Sequence, residues 1–204
     1  MFSEKSVLIT GGTSSFGRRY VKTLLARCEP RRLIVYSREE LKQSHMAQEF
    51  GQPCMRYFIG DVRDLDRLIQ AFNGVDYGIH AGVLKQVPSA EYNPMECVKA
   101  NIYGAENAVH PALANNVEKV IALSTDKAVH PINLYGAMKP VSDKVLVAAN
   151  NVTGRHRTRF AAARYGNVVG SRESVVPLFS KLIADNSNYL PITDVRMPRF
   201  WSAL

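Results

Sequence analysis

The sequence predicts an α/β fold: a doubly wound parallel sheet with helices on both faces. Two observations predict it. Short runs rich in Val and Ile recur at residues 6 to 10, 32 to 36, 56 to 60, 76 to 81, 119 to 124 and 159 to 165, each of a length and apolarity that suit a strand buried on both sides. Between them, residues 16 to 28, 39 to 50, 64 to 73, 94 to 115 and 135 to 150 carry helical spacing. Strand and helix therefore alternate, and each crossover lays a helix over the sheet. A last helix is expected over about 174 to 185. One domain is the simplest partition of the 204 residues.

Composition agrees with a packed core. Hydrophobic residues make up 46% and charged residues 22% of the chain, which excludes disordered, fibrous and low-complexity classes. Runs such as Val120, Ile121, Ala122 and Leu123 are far too short to cross a bilayer, and the first five residues lack the charged-then-apolar pattern of a secretory signal. A cytoplasmic location without a membrane partner is expected. Cys28, Cys54 and Cys97 are odd in number and stand apart, so they read as reduced thiols, with neither a disulfide framework nor a metal site. The net charge of +8 comes from Lys and Arg scattered along the chain, without aromatic interleaving. Nucleic acid is therefore not an expected partner, and a smaller anion such as a nucleotide phosphate is.

The first strand leads into Gly11, Gly12, Thr13, Ser14, Ser15, Phe16 and Gly17. A small-residue turn opening a helix presents backbone N–H groups and the positive end of the helix dipole to a pyrophosphate. The second strand ends at Ser37 and Arg38, with Lys42 close behind. A free ribose hydroxyl calls for an acidic residue at that place. A basic one suits a 2′-phosphate, and so NADP rather than NAD. The third strand closes on Asp61 and Val62, where Asp61 can accept from an adenine amine, and the fourth on His80, Ala81 and Gly82. His80 reads as a packed core histidine rather than a catalyst. After the fifth strand come Ser124, Thr125, Asp126 and Lys127, then Tyr135 and Lys139. Four residues apart on a helix share a face, so the Lys139 ammonium and a bound nicotinamide cation would both favour the Tyr135 phenolate as a base.

With these residues assembled, the chain resembles the extended short-chain dehydrogenase/reductases. Among them it is similar to the inverting UDP-N-acetylglucosamine 4,6-dehydratases that begin pseudaminic acid synthesis. The resemblance runs from residue 1 to about 201, through residues 35 to 43, 84 to 88, 123 to 128, 133 to 139 and 164 to 172. It implies a Rossmann domain that binds NADP, with the start of a substrate-binding region from about residue 168 and most of that carboxyl-terminal domain missing. It implies a homo-oligomer acting on a UDP-sugar.

Carried over by position, the resemblance makes Tyr135 the base for the sugar 4-hydroxyl and places Lys139 on the nicotinamide ribose. Lys127 takes the carbon 5 proton and Asp126 protonates the departing 6-hydroxyl. Cofactor contacts fall on Gly11, Thr13, Ser14, Ser15, Phe16, Gly17, Ser37, Arg38, Lys42, Asp61, Val62, Ala81, Lys85, Asn101, Ser124, Tyr135 and Lys139. Lys85, Asn167, Ser171 and Arg172 correspond to substrate contacts, and Asn101 also to a support of the active-site backbone. Two further readings stand beside this one: a catalytically silent nucleotide-binding or oligomerisation module, and an NADP-dependent sugar-nucleotide epimerase or reductase.

Departures from the family pattern carry their own expectations. Ser14 stands where a glycine is usual and is expected to hinder approach to the pyrophosphate. Pro140 removes an N–H from the catalytic helix and is expected to displace the Tyr135 and Lys139 pair, and Pro111 to break the helix over 94 to 115. Glu173 replaces a glycine and Pro198 alters the segment before Trp201. The apolar tail over 194 to 204, with the one Trp of the chain, is expected to be covered by something missing from it, the alternative being a tail folded back on the core.

Overall fold

The computed structural model describes residues 1–169, 174–192, 194–196, 198 and 201–203. Six strands, β1 (Ser6–Thr10), β2 (Arg32–Ser37), β3 (Met55–Ile59), β4 (Tyr77–His80), β5 (Lys119–Thr125) and β6 (Arg159–Tyr165), form one sheet. Their order is β3-β2-β1-β4-β5-β6, and β1 to β5 pair in parallel, with Leu8 opposite Ile34 on one side and Gly78 on the other. The strand order reverses between β1 and β4, which opens a crevice beyond their carboxyl ends.

Alternate residues of β1 and β2 feed two separate cores, which explains why these strands read as unbroken apolar runs. Val7, Ile9, Leu33 and Val35 pack with Val21 and Leu24 of α1 (Ser15–Arg27) and Met46 of α2 (Glu40–Glu49). Leu8, Ile34 and Tyr36 pack with Leu68 of α3 (Leu65–Ala71), Val109 of α6 (Gly104–Ala114) and Leu146 of α7 (Leu134–Ala148). Helices therefore cover both faces, as the sequence predicts. Opposite the crevice, the strand starts are stapled by charge: Lys5 pairs with Asp76 and Glu118, the Ser6 amide donates to Asp76 at 2.7 Å, and Tyr77 donates to Glu118.

The helix expected over 94 to 115 is a composite. It comprises α5 (Pro94–Val98), a π-helical turn at Lys99–Tyr103, and α6, and a short α4 (Val87–Tyr92) that the sequence did not announce precedes it. The irregularity lies at the wide turn, not at Pro111, which sits buried inside α6. Ala105, Ala108, Val109 and Ala112, all buried, hold that helix through the proline. Pro140 is likewise interior to a continuous α7.

Contacts cluster the chain into two compact units, Met1–Arg164 and Tyr165–Leu204. Within the second, α8 (Val175–Ala184) follows β7 (Asn167–Val168), which pairs in parallel with β8 (Trp201–Ser202), so that Asn167 lies opposite Trp201. Trp201, 49% exposed, lies in this strand pairing. Among the described residues no helix is long and apolar enough to cross a membrane.

Candidate active site

The glycine turn is dictated by crowding. Gly11 takes φ +64°, and a Cβ there would lie 2.6 Å from the Ala81 carbonyl oxygen; at Gly17 a Cβ would lie 2.2 Å from that of Gly12. Only hydrogen at these positions lets the turn fold flat between β1, β4 and α1. Ser14 fits this turn without strain. Its φ of −69° needs no glycine, and its hydroxyl turns onto α1 as the N-cap, accepting from the Gly17 amide at 3.1 Å. No acidic residue occupies the first turn of α1, so the positive end of the helix faces outward unneutralised. A dinucleotide pyrophosphate fits this arrangement. Thr13 and Ser37 join their hydroxyls at 2.8 Å beneath it, and Thr10 Oγ1 accepts from the Ala81 and Gly82 amides at 3.1 and 3.0 Å.

At the end of β2, Arg38 reaches Asp61 at 3.4 Å while Lys42 pairs with Glu39. Asp61 is held chiefly by Arg63. Although burial pushes its carboxyl the other way, hydrogen bonds from Arg63 and the charges of Arg63 and Arg38 keep it below the usual carboxylate range. Asp61 is thus ionised and able to accept. Val62 is buried below it, its carbonyl taking a bond from Asn107 at 3.0 Å.

The second half of the site hangs on α7. Asn133 caps it, accepting from the Gly136 amide at 2.8 Å, and the Leu134 amide donates to Glu91 at 2.7 Å. A Cβ on Gly136 would lie 2.9 Å from the Lys127 carbonyl, so the turn Asp126–Ala128 is pressed against the start of the helix. In that turn Lys127 pairs with Asp126 at 3.5 Å, and Thr125 donates to Asp126 at 2.9 Å. One turn along α7, Lys139 is 2% exposed and donates to the Leu123 carbonyl at 2.8 Å. Burial lowers its pKa and the Asp143 charge opposes that. Pro140 therefore leaves the Lys139 anchor in place, contrary to the expected displacement.

Asp143 was not foreseen, although its spacing of four from Lys139 was available to find it. It is buried and gathers Ser124 at 2.8 Å and Arg164 at 3.0 Å, tying β5 and β6 to the helix. Gln43 and Arg63 were also missed. Gln43 is buried and donates to the Ser37 and Phe58 carbonyls at 2.8 and 2.9 Å, closing the ends of β2 and β3. His80 is the core residue the sequence suggested, its Nδ1 3.1 Å from the Thr10 hydroxyl. Burial, then the nearby Lys139 charge, push its pKa down to about 3.

Asn101, fully buried in the π-turn, holds the backbone of Leu84 from both sides. Leu84 and Tyr135 pack against one small cluster around Ala90, Cys97 and Met138, which brings the loop after β4 to the start of α7. The fold thus gathers Gly11 to Gly17, Ser37, Arg38, Asp61, Val62 and Ala81 around the carboxyl ends of β1 to β4. It gathers Ser124, Asp126, Lys127, Tyr135 and Lys139 around β5 and α7. Asn167 belongs to the second unit, and Ser171, Arg172 and Glu173 lie outside the described residues. Among the described residues no cluster of three His, Cys, Asp or Glu side chains is placed to hold a metal ion.

Comparison with known proteins follows the same lines. Over all 204 residues the chain is 60% identical to a UDP-N-acetylglucosamine 4,6-dehydratase (inverting) of Campylobacter jejuni and covers 61% of it. It is 44% identical over 208 aligned residues to a UDP-glucose 4-epimerase of Rickettsia bellii, covering all of this chain and 60% of that one. The chain thus spans about three fifths of the length of these curated relatives. A dTDP-glucose 4,6-dehydratase, DesIV of Streptomyces venezuelae, solved with NAD and TYD bound, superposes with a TM-score of 0.86 at 25% identity, over 97% of this chain and 68% of that one. The resemblance read from the sequence stands. The glycine cradle, the Tyr135 and Lys139 helix and the sheet from the second residue of β1 onward fall inside residues 7–204, the stretch matched by the family model for polysaccharide biosynthesis proteins, and the chain belongs to that family.

Proposed function

We propose that this chain carries the cofactor-binding and proton-transfer parts of an NADP-dependent UDP-N-acetylglucosamine 4,6-dehydratase that inverts sugar carbon 5. One observation carries the reading: the Asp126–Ala128 turn is pressed against the capped start of α7, the helix that bears Tyr135 and the buried Lys139, whose ammonium is anchored on Leu123 of β5. The 60% identity to the Campylobacter jejuni dehydratase across the whole chain supports it. Bound nicotinamide supplies a reversible hydride acceptor for the sugar.

Tyr135 takes the 4-hydroxyl proton. Free tyrosine ionises near ~10, and a cation on the same helix face favours the phenolate. Lys139 is that cation, its stem buried and its ammonium anchored on the Leu123 carbonyl. Once the sugar carries a 4-keto group, negative charge at carbon 5 is stabilised and that proton becomes removable. Lys127 removes it and Asp126 gives a proton to the departing 6-hydroxyl, so water leaves. Carbon 6 then takes back the hydride that carbon 4 gave up, and carbon 5 is reprotonated from the other face, which completes the 4-keto-6-deoxy sugar. By the family resemblance Lys85, Asn167, Ser171 and Arg172 correspond to contacts with the UDP-sugar, and the substrate-binding region begins at about residue 168. Arg38, with Ser37 and Lys42, favours NADP through the 2′-phosphate. The assembled enzyme is a cytoplasmic homo-oligomer serving pseudaminic acid synthesis, and native mass measurement tests its assembly.

The reading is tested by incubating UDP-N-acetylglucosamine with this chain and with a version extended by the carboxyl-terminal region its relatives carry, and following loss of one water by mass spectrometry. An extended chain that binds the cofactor and releases no water sinks the proposal. The 44% identity to the Rickettsia bellii epimerase favours one alternative, epimerisation at carbon 4. Lys127→Ala separates the two. A dehydratase variant still exchanges hydride and stops before water leaves, whereas an epimerase continues to turn over.

A further inference from the structure

Asp61 stands between two guanidinium groups that hold it very unequally. Arg63 approaches its carboxylate with three donors: the backbone amide and Nε on Oδ1 at 2.9 and 3.0 Å, and Nη2 on Oδ2 at 2.7 Å. Arg38 makes one contact, Nη1 to Oδ2 at 3.4 Å, from a side chain that is half exposed. Arg63 is itself fixed from its far side by Glu96, which is paired with Lys99 at 3.0 Å. A two-point fork on a carboxylate is stronger and more directional than a single long contact.

This asymmetry bears on the choice between NADP and NAD. A 2′-phosphate must win Arg38 away from Asp61, and it does so easily only when the carboxylate is already satisfied. Resting on the NADP reading above, we propose that Arg63 is a specificity-determining residue for the cofactor: by gripping both oxygens of Asp61 it leaves Arg38 free for the 2′-phosphate. Without Arg63, Arg38 becomes the cation nearest to Asp61 at this corner and closes onto it. NAD asks nothing of Arg38, so its binding changes only through the adenine contact that both cofactors share. A merely structural Arg63 predicts something else, an equal weakening of both.

Calorimetric titration of NADP and of NAD into the full chain decides the matter. Arg63→Gln is expected to lower the preference for NADP over NAD by about fivefold, the scale of one ion-pair rearrangement near the surface. Adding Asp61→Asn to that variant removes the competing anion and is expected to restore the preference, while weakening both cofactors alike. Equal weakening by Arg63→Gln, or failure of the double variant to restore the ratio, overturns the inference. Should Arg63→Gln not fold, Arg63→Lys keeps the charge without the fork; it is expected to lower the ratio by less, and an unchanged ratio overturns the inference. A wild-type chain with no NADP preference, or Arg38→Gln with no effect on the ratio, removes the NADP reading itself. A collapsed ratio in Arg38→Gln beside an unmoved one in Arg63→Gln removes only the role of Arg63.

Discussion

Asn101 holds Leu84 by both of its backbone polar groups: Oδ1 accepts from the Leu84 amide at 2.8 Å, and Nδ2 donates to the Leu84 carbonyl at 2.9 Å. A carboxamide is the side chain that can do both at once. The π-turn at Lys99–Tyr103 brings this residue, fully buried, onto the loop after β4, and single π-turns of this kind recur at functional sites. Asn101→Leu leaves both groups unpaired and is expected to cost about 2–4 kcal/mol, at one to three for each orphaned group less relaxation. Urea unfolding measures the loss, and hydrogen exchange at the Leu84 amide should quicken by more than at the β1 amides. Unchanged protection at Leu84 refutes the clamp.

His80 makes the fold sensitive to acid. Burial lowers its pKa from 6.5 to about 3, so between those values the unfolded chain holds a proton that the folded chain refuses. Stability then falls as pH drops through that window, by at most about 1.4 kcal/mol per pH unit. His80→Asn, which can keep the Thr10 hydrogen bond, should flatten that part of the curve of unfolding free energy against pH. An equally steep curve in the variant rejects His80 as its source.

Asp143 is expected to set the alkaline limit of the reaction. It is the charge that opposes the burial-driven lowering of the Lys139 pKa, so Asp143→Asn lets Lys139 lose its proton more readily. The high-pH fall in cofactor reduction by UDP-sugar, measured on the extended chain, should move to lower pH. A role confined to holding β5 and β6 together through Ser124 and Arg164 predicts lower activity with the limb unmoved.

Pro140 remains inside α7 at the expense of one backbone bond, the one its missing N–H would give Gly136. Pro140→Ala is expected to stabilise the chain by about 1–3 kcal/mol, read as a higher urea midpoint with the same slope. A lower midpoint means that the ring's packing outweighs the bond.

Gly17→Ala would put a methyl group 2.2 Å from the Gly12 carbonyl oxygen, which neither backbone can absorb without moving. NADP binding by calorimetry is expected to be lost, with a stability loss of about 2 kcal/mol or more from overpacking. Retained binding at wild-type strength argues against the loop as the pyrophosphate site.

Strand positions were legible because both faces of the sheet are covered, so β1, β2 and β5 carry uninterrupted apolar residues. Tyr135 and Lys139 were legible because the period of a helix links them. What stayed hidden has one cause, dependence on partners distant in sequence. Asn101 looks unremarkable until Leu84 is beside it, and Asp143 until Ser124 and Arg164 converge on it. Pro140 misled for the same reason. A residue type fixes a local preference, but the cap on Gly17 and the anchor of Lys139 on Leu123 belong to the assembled fold.

The candidate site residues of the first unit gather where the parallel strands finish, which leaves the opposite rim, stapled by Lys5, Asp76 and Glu118, remote from them. Met1 stands on that rim, five residues ahead of β1. A fluorescent label, a biotin or a resin linkage attached there would hold the molecule by its back, with the crevice turned toward the liquid.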